Sequence, residues 1–118
     1  MKLNSNTINI MEKILIKNGR SYYFINKNNI NFIESDGNYS RLFCDEKSYI
    51  VRKSLVFLEE KLGADKFMRV NKSTIVNIDR INEMREAENN NFLIVLNNNK
   101  TLQWGRRYRE RLVKLIRI

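Results

Sequence analysis

Three short polar segments of the chain carry the side chains best suited to a chemical role. They are residues 36–41 (Asp-Gly-Asn-Tyr-Ser-Arg), 71–74 (Asn-Lys-Ser-Thr) and 105–107 (Gly-Arg-Arg). Each contains Lys or Arg, whose N–H groups can donate to guanine O6 and N7, and Asn can form two hydrogen bonds with adenine. Ser, Thr and Lys also satisfy phosphate oxygens. Because charged turns are common, the signal is the shared character of all three segments, and it favours nucleic-acid binding.

Catalysis is a weaker interpretation of the same residues. The chain has no His, which removes the usual general base near neutral pH and the commonest metal ligand. The four Gly residues are isolated in the sequence, so they form no glycine-rich phosphate loop. We therefore expect no enzymatic activity, no cofactor and no metal site. The only thiol, that of Cys44, is interpreted as a small buried hydrophobe.

The charge is unevenly distributed along the chain. The net charge is +9, and residues 1–65 carry 10 Lys/Arg against 8 Asp/Glu (+2), whereas residues 66–118 carry 12 against 5 (+7). A basic half favours an acidic partner, most commonly nucleic acid, with a membrane surface or simple solubility as alternatives. No apolar run approaches the roughly 20 residues that span a bilayer, and the N-terminus lacks a signal-peptide stretch. We expect a soluble, cytoplasmic protein that does not contact membranes.

The elements that must position the three polar segments are mostly strands. In the first half, alternating apolar residues and turn signals such as Asn18-Gly19 predict strands at residues 13–17, 21–25, 30–34, 39–43 and 48–51. A helix is predicted next, because Leu55, Leu58 and Leu62 recur at helical spacing between Ser54, a possible N-cap, and Gly63, a helix stop.

The second half continues with strands and ends in a helix. Residues 67–81 begin and end like a strand that segment 71–74 interrupts, and further strands are predicted at 92–96 and 101–104. From Arg106 onward, one helical stripe is formed by Tyr108, Leu112, Leu115 and Ile116. The order is five strands, a short helix, four or so strands and a terminal helix. This order excludes a helix-turn-helix, so loops or strands must contact any DNA.

The order of motifs resembles the LytTR family of DNA-binding domains. The motifs are INFIESDGNYSRL (30–42), RKSLVFLEEKL (52–62), FMRVNKSTIVNIDRI (67–81) and WGRRYRERL (104–112). The similarity covers about residues 13–116. Its most specific part is a core pattern formed by Phe67, Arg69, Ser73, Val76, Asn77 and Ile81.

The resemblance implies a mainly β, elongated antiparallel fold of small sheets, with about ten strands, one short helix and a C-terminal helix. Residues 1–118 would form a single domain. The resemblance also implies sequence-specific binding of double-stranded DNA for transcription regulation, with loops entering successive major grooves of a promoter direct repeat. Most relatives are output halves of two-component response regulators and some stand alone. Expected partners are therefore double-stranded DNA, a second copy on an adjacent half-site and a receiver domain in a longer chain.

The family's base-reading positions fall, in this sequence, on Ser40, Lys72 and Arg106. Residues that would contact the DNA backbone or support the loops are Arg41, Arg52, Lys53, Arg69, Asn71, Ser73 and Arg107. Two departures from the family are evident: no His stands at or beside the first two positions, and Gly105 replaces the usual Ser before the third. Asn77 is interpreted as structural, with its amide satisfying buried backbone groups or tightening a turn.

Two functions of other classes remain open from the sequence. The first is binding of single-stranded nucleic acid or RNA on a β surface where Tyr22, Tyr23, Tyr39 and Tyr49 would stack on bases. Packing between strands is the favoured role for these rings. The second is a protein-interaction domain whose basic face meets an acidic partner.

Overall fold

The computed structural model describes residues 12–117, except for the side chains of residues 111, 112, 115 and 116. The first five strands are β1 (Lys13–Asn18), β2 (Ser21–Asn26), β3 (Ile30–Asp36), β4 (Tyr39–Cys44) and β5 (Ser48–Val51), and helix α1 (Leu55–Leu62) follows. The rest are β6 (Phe67–Asn71), β7 (Thr74–Asn77), β8 (Ile81–Glu86), β9 (Phe92–Leu96), β10 (Thr101–Gln103) and helix α2 (Arg106–Ile116). Single 3₁₀ turns cover Lys27–Asn29, Ile78–Arg80 and Glu88–Asn90. The predicted mainly β fold is confirmed.

The strands form three antiparallel sheets. The largest has the order β5-β4-β3-β7-β6, the second has the order β10-β9-β8, and β1 pairs with β2 as a hairpin. The turns follow the predicted signals, since Gly19 and Gly37 adopt φ values of 66° and 62° that L residues rarely adopt. The register places Asn18 opposite Ser21 and Asp36 opposite Tyr39.

The five-stranded sheet is the middle layer of the molecule. Consecutive side chains of a strand point to opposite faces, and on β3 Ile33 packs into one hydrophobic core while Phe32 packs into the other. The first core lies between this sheet, the β1–β2 hairpin and α1. The second lies between the sheet, strands β9 and β10, and the start of α2. Burial on both faces fixes the sheet, and therefore the loops at its ends.

Helix α1 forms as predicted. The Ser54 side chain accepts a hydrogen bond from the Phe57 N–H (3.1 Å), and Gly63 ends the helix with a φ of 90°. The three Leu residues of the predicted stripe are all buried. In α2, Tyr108 packs against the second core, whereas the other residues of its predicted stripe lie outside the described side chains. No helix in the described part of the chain is long and apolar enough to cross a bilayer.

Asn77 has the structural role that the sequence predicted. Its side chain is 0% exposed, and its Nδ2 donates to the Ile30 carbonyl at 2.8 Å. Its Oδ1 accepts from the Asp79 N–H at 3.0 Å and so caps the 3₁₀ turn that follows β7. The single buried amide of Asn77 therefore links β7 to β3 and caps the 3₁₀ turn.

Cys44 packs against the first core, and we expect its thiol to react slowly. Burial, aided by the Asp45 carboxylate, raises the pKa of the thiol to about 11. Because only the thiolate is nucleophilic, alkylation by iodoacetamide at pH 8 should be on the order of 10²-fold slower than in the urea-unfolded chain, where the pKa is about 8.5. The rate for the folded protein should still rise above pH 9.5. Equal rates for the folded and unfolded chains would contradict this expectation.

Candidate nucleic-acid interface

The interruption predicted at residues 71–74 is a tight hairpin turn between β6 and β7. Asn71 pairs with Thr74 across the hairpin, so Lys72 and Ser73 form the turn. Both turn residues are exposed, while Thr74 is already buried. Among the described ion pairs, none involves Lys72. The turn thus presents one ammonium group to solvent from a short, regular scaffold.

The backbone of this turn is held by Arg69. The Arg69 guanidinium donates from Nη2 to the Lys72 carbonyl at 2.7 Å and from Nε to the Asn71 carbonyl at 3.2 Å. Its Nη1 lies 2.8 Å from Glu59 Oε1 on α1. Charge-assisted hydrogen bonds of this kind are stronger than neutral ones. Arg69 therefore supports the turn and links it to α1.

Asn71 also belongs to the support of the turn. Its Oδ1 accepts from the Ser73 N–H at 2.8 Å, and its Nδ2 donates to the Gln103 carbonyl at 2.8 Å. Both ends of the amide are therefore used within the protein. Ser73 is held in addition through its carbonyl, which accepts from the Ser35 N–H at 2.9 Å.

The predicted exposure of Ser40 at a DNA-reading surface needs correction. Its side chain is only 1% exposed, and its Oγ donates to the Lys53 carbonyl at 2.7 Å. The physical reason is strand alternation, which places Ser40 on the same face of β4 as buried Leu42. Ser40 fixes the segment after β5. Arg41 points to the opposite face of β4, where its Nη1 lies 3.5 Å from Ser48 Oγ.

The segment that Ser40 fixes carries two exposed cations beside the β3–β4 turn. Arg52 donates from Nη2 to the Tyr39 hydroxyl at 3.0 Å, and its guanidinium lies 5.1 Å from the centre of that ring. Lys53 places its Nζ 4.7 Å from the centre of the Phe57 ring. These rings hold both cations at the surface. Asn38, which is not among the predicted contact residues, is exposed in the turn itself.

The third predicted segment forms the start of α2. The Gly105 N–H donates to the Val70 carbonyl at 2.7 Å, and a Cβ at Gly105 would lie 3.2 Å from a ring carbon of Tyr108. A larger residue at position 105 would therefore require the Tyr108 ring to shift by a few tenths of an ångström. Arg106 is 84% exposed in its side chain, with Nε 3.4 Å from Glu110 Oε1, and Arg107 is also exposed. Gly105 provides no side-chain cap, so the first N–H groups of α2 are not capped.

The three segments surround adjoining depressions of the surface. One of about 370 Å³ is lined by Asn38, Ser40, Lys72 and residues 52–54, among others. Another of about 530 Å³ is lined by Asn71, Gly105 and Arg106, among others. The β6–β7 hairpin contributes Lys72 to the first depression and Asn71 to the second, so its tip lies between the other two segments. Residues 12–117 bring together no cluster of three potential metal ligands.

Comparison with known proteins places the chain in a family. The family model described as "LytTr DNA-binding domain" matches residues 20–117. Sensory transduction protein LytT of Bacillus anthracis is 35% identical over 72 residues, covering 61% of this chain and 29% of that protein. The protein of the same name from Bacillus subtilis is 26% identical over 106 residues, covering 90% of this chain and 44% of that protein. The chain thus spans less than half the length of these relatives.

A solved structure has the same fold. The LytTr DNA-binding domain of a putative methyl-accepting/DNA response regulator from Bacillus cereus superposes with a TM-score of 0.79 at 20% identity, covering 91% of this chain and 98% of that one. The ten strands and two helices of the described residues therefore match a known arrangement. Since the family model matches well over half of the 118 residues, the chain belongs to the LytTr DNA-binding domain family.

Proposed function

We propose that this chain binds double-stranded DNA sequence-specifically to regulate transcription. The β3–β4 turn, the β6–β7 turn and the start of α2 would face successive major grooves of a promoter direct repeat. The observation that carries the proposal is the exposed Lys72 on a braced turn between two depressions bordered by Arg52, Lys53 and Arg106. Membership of a DNA-binding domain family supports it.

In this proposal, Lys72 and Arg106 contact base edges, because both are exposed cations able to donate to guanine. Asn38 takes the place of Ser40 at the first turn, because it is exposed and lines the same depression as Lys72, and an amide can pair with adenine. Ser40 supports the neighbouring segment from inside.

Cationic residues around these base-contacting residues would bind the DNA backbone. Arg52, Lys53 and Arg107 are exposed near the three turns and suit phosphate oxygens. The uncapped N–H groups at the start of α2 favour an anion, since a helix N-terminus carries partial positive charge. Arg41, on the other face of β4, is left out of this set.

Two partners besides DNA belong to the proposal. A second copy would occupy the adjacent half-site of the direct repeat. A receiver domain would control the DNA-binding domain within a longer chain, in keeping with relatives that are more than twice the length matched here and are named sensory transduction proteins.

We expect Lys72→Ala and Arg106→Ala each to cost about 1 to 3 kcal/mol in binding free energy and to relax base preference at one position. The preferred site is first obtained by selection from a random duplex library and footprinted. Dissociation constants are then measured for every single-base variant of that site. Lys100→Ala is the matched control, because Lys100 is exposed in the β9–β10 turn and lines neither depression. If Lys72→Ala leaves both affinity and preference intact, the assignment of the β6–β7 turn fails.

Single-stranded nucleic acid is the second candidate, and one observation favours it. Tyr22 and Phe24 are 58% and 70% exposed on the outer face of the β1–β2 hairpin, with Lys17 Nζ 5.8 Å from the centre of the Tyr22 ring. Exposed rings beside cations can stack on unpaired bases. Competition of a labelled duplex by single strands distinguishes the candidates, and a preference for single strands lost in Tyr22→Ala or Tyr39→Ala would favour the second.

A further inference from the structure

A third surface feature lies outside the three turns. It is a groove of about 870 Å³ between strand β1, the end of β5 and helix α1. Six cationic residues line this groove, and none of its lining residues is acidic; the six are Lys13, Lys17, Lys27, Arg52, Lys53 and Lys61. Like charges gathered without carboxylates repel one another and attract anions. Most of the other lining residues are apolar, among them Leu42 and Leu58, so it is the six cations that suit the groove to a polyanionic ligand.

The groove continues directly from the depression around Lys72. Tyr39, Arg52 and Lys53 line both of them. A ligand that extends from the β6–β7 turn past Arg52 and Lys53 enters the groove. Neither the depression nor the groove has an acidic residue in its lining. The depression around Lys72 and the groove thus form one continuous basic track on the surface of the protein.

Four of the five lysines that line the groove are exposed; Lys27 is partly buried. Lys61 Nζ lies 5.6 Å from the centre of the Phe57 ring, which also holds Lys53. Lys13 and Lys17 are exposed and lie on the same face of β1, because side chains alternate along a strand. Two of the five lysines are engaged: Lys27 Nζ lies 3.4 Å from the Leu62 carbonyl, and Lys17 Nζ lies 5.8 Å from the centre of the Tyr22 ring, which is not part of the groove lining.

Lysines on an outer strand also have a simpler use, since they protect the strand from pairing with other chains. That use accounts for Lys13 and Lys17 on β1. It does not account for Lys61 on α1, across the same groove, or for the lack of any acidic residue in the lining.

We propose that this groove holds the sugar–phosphate backbone of the duplex beside the bases read by the turns, through Lys13, Lys17 and Lys61. The inference rests on the proposed function and extends the footprint beyond the three turns on one side. Continuity with the depression around Lys72 favours duplex DNA over an acidic protein segment as the ligand.

The test compares two double variants of the 118-residue chain. Lys17→Gln/Lys61→Gln removes two groove cations, and Lys47→Gln/Lys100→Gln removes two exposed cations that also lie over aromatic rings but outside the groove and both depressions. Affinity for the selected duplex is measured between 50 and 200 mM salt (about 0.9 in log–log slope per neutralised phosphate). We expect the slope to fall by about 2 for the groove variant, with an affinity loss of about tenfold or more at the lower salt. The control should change the slope by less than about 0.5.

Shortened duplexes separate a contact from a folding effect. Two duplexes are made, each shortened by several base pairs at one end of the footprint. On one of them the groove variant should bind as the wild type does, because the flanking phosphates are missing; on the other its defect should persist. A defect that persists on both shortened duplexes, or a groove variant that matches the control, overturns the inference. So does an unchanged DNA slope combined with lost binding of poly-glutamate, which would assign the groove to an acidic protein. Failure of the wild type to bind any duplex would instead refute the proposed function itself.

Discussion

Replacing Asn77 with Ala is expected to lower the free energy of unfolding by about 2 to 5 kcal/mol, since a buried carbonyl left unpaired costs about 1 to 3 kcal/mol and loss of a cap costs about 0.5 to 2 kcal/mol. The substitution removes the bond to the Ile30 carbonyl and the bond from the Asp79 N–H together. Because Ile30 is 0% exposed, water cannot readily replace the amide at the Ile30 carbonyl, whereas Asp79 is exposed and water can reach its N–H. Urea unfolding followed by circular dichroism measures the change.

Asn26→Ala is the matched control for this prediction. Asn26 precedes the first 3₁₀ turn as Asn77 precedes the second, and its Oδ1 accepts from the Asn28 N–H at 2.9 Å. It is only partly buried, so its loss should cost about 1 kcal/mol, the usual value for a cap. Equal costs at both positions would show that the buried bond to Ile30 adds no net stability.

Arg69→Ala is expected to weaken duplex binding by about tenfold to a hundredfold, although Arg69 acts here through the turn and not on DNA. Hydrogen bonds from charged groups contribute about 1.5 to 3 kcal/mol each, and two of them fix the turn carbonyls of Asn71 and Lys72. Without them the turn samples other conformations, and Lys72 loses its defined position. Affinity, salt slope and hydrogen exchange at the Ser73 amide are the measurements.

Two measurements distinguish a structural role of Arg69 in the turn from a direct contact between Arg69 and a DNA phosphate. Glu59→Gln removes the ion pair but leaves both carbonyl bonds. Because Glu59 is partly exposed, its loss should cost at most about 1 kcal/mol. Arg69→Ala should speed exchange at Ser73 without changing the salt slope. A slope reduced by about 0.9 would instead make Arg69 a phosphate contact.

Local sequence signals predicted most of the fold, because they act over a few residues. The Asn18-Gly19 turn and helix α1 with its cap and stop were all confirmed. Strand β8 was missed, because its sequence, INEMRE, is almost wholly exposed and lacks apolar alternation. It is held as an outer strand by pairing with β9, and a partner in another part of the chain leaves no local pattern.

The site was predicted less completely, and for two different reasons. Ser40 was assigned to the surface through family position, whereas its alternation with Leu42 in the sequence already indicates the buried face of β4. In contrast, the bond from Asn71 to the Gln103 carbonyl and the contact of Gly105 with Val70 join residues more than 30 positions apart. Their geometry depends on the packing of the second core, so it could be obtained only from the structure.

The bracing of the β6–β7 turn has an evolutionary consequence. Hydrogen bonds to the turn backbone from the Ser35 N–H and from the Arg69 and Asn71 side chains maintain its shape. None of these hydrogen bonds uses the Lys72 side chain. Under the proposed function, substitution at position 72 would therefore alter the recognised base at little expense to folding. Duplicated genes encoding such a domain would then need only one codon change to alter the recognised site, whereas loss of Arg69 or Asn71 would remove hydrogen bonds that shape the turn.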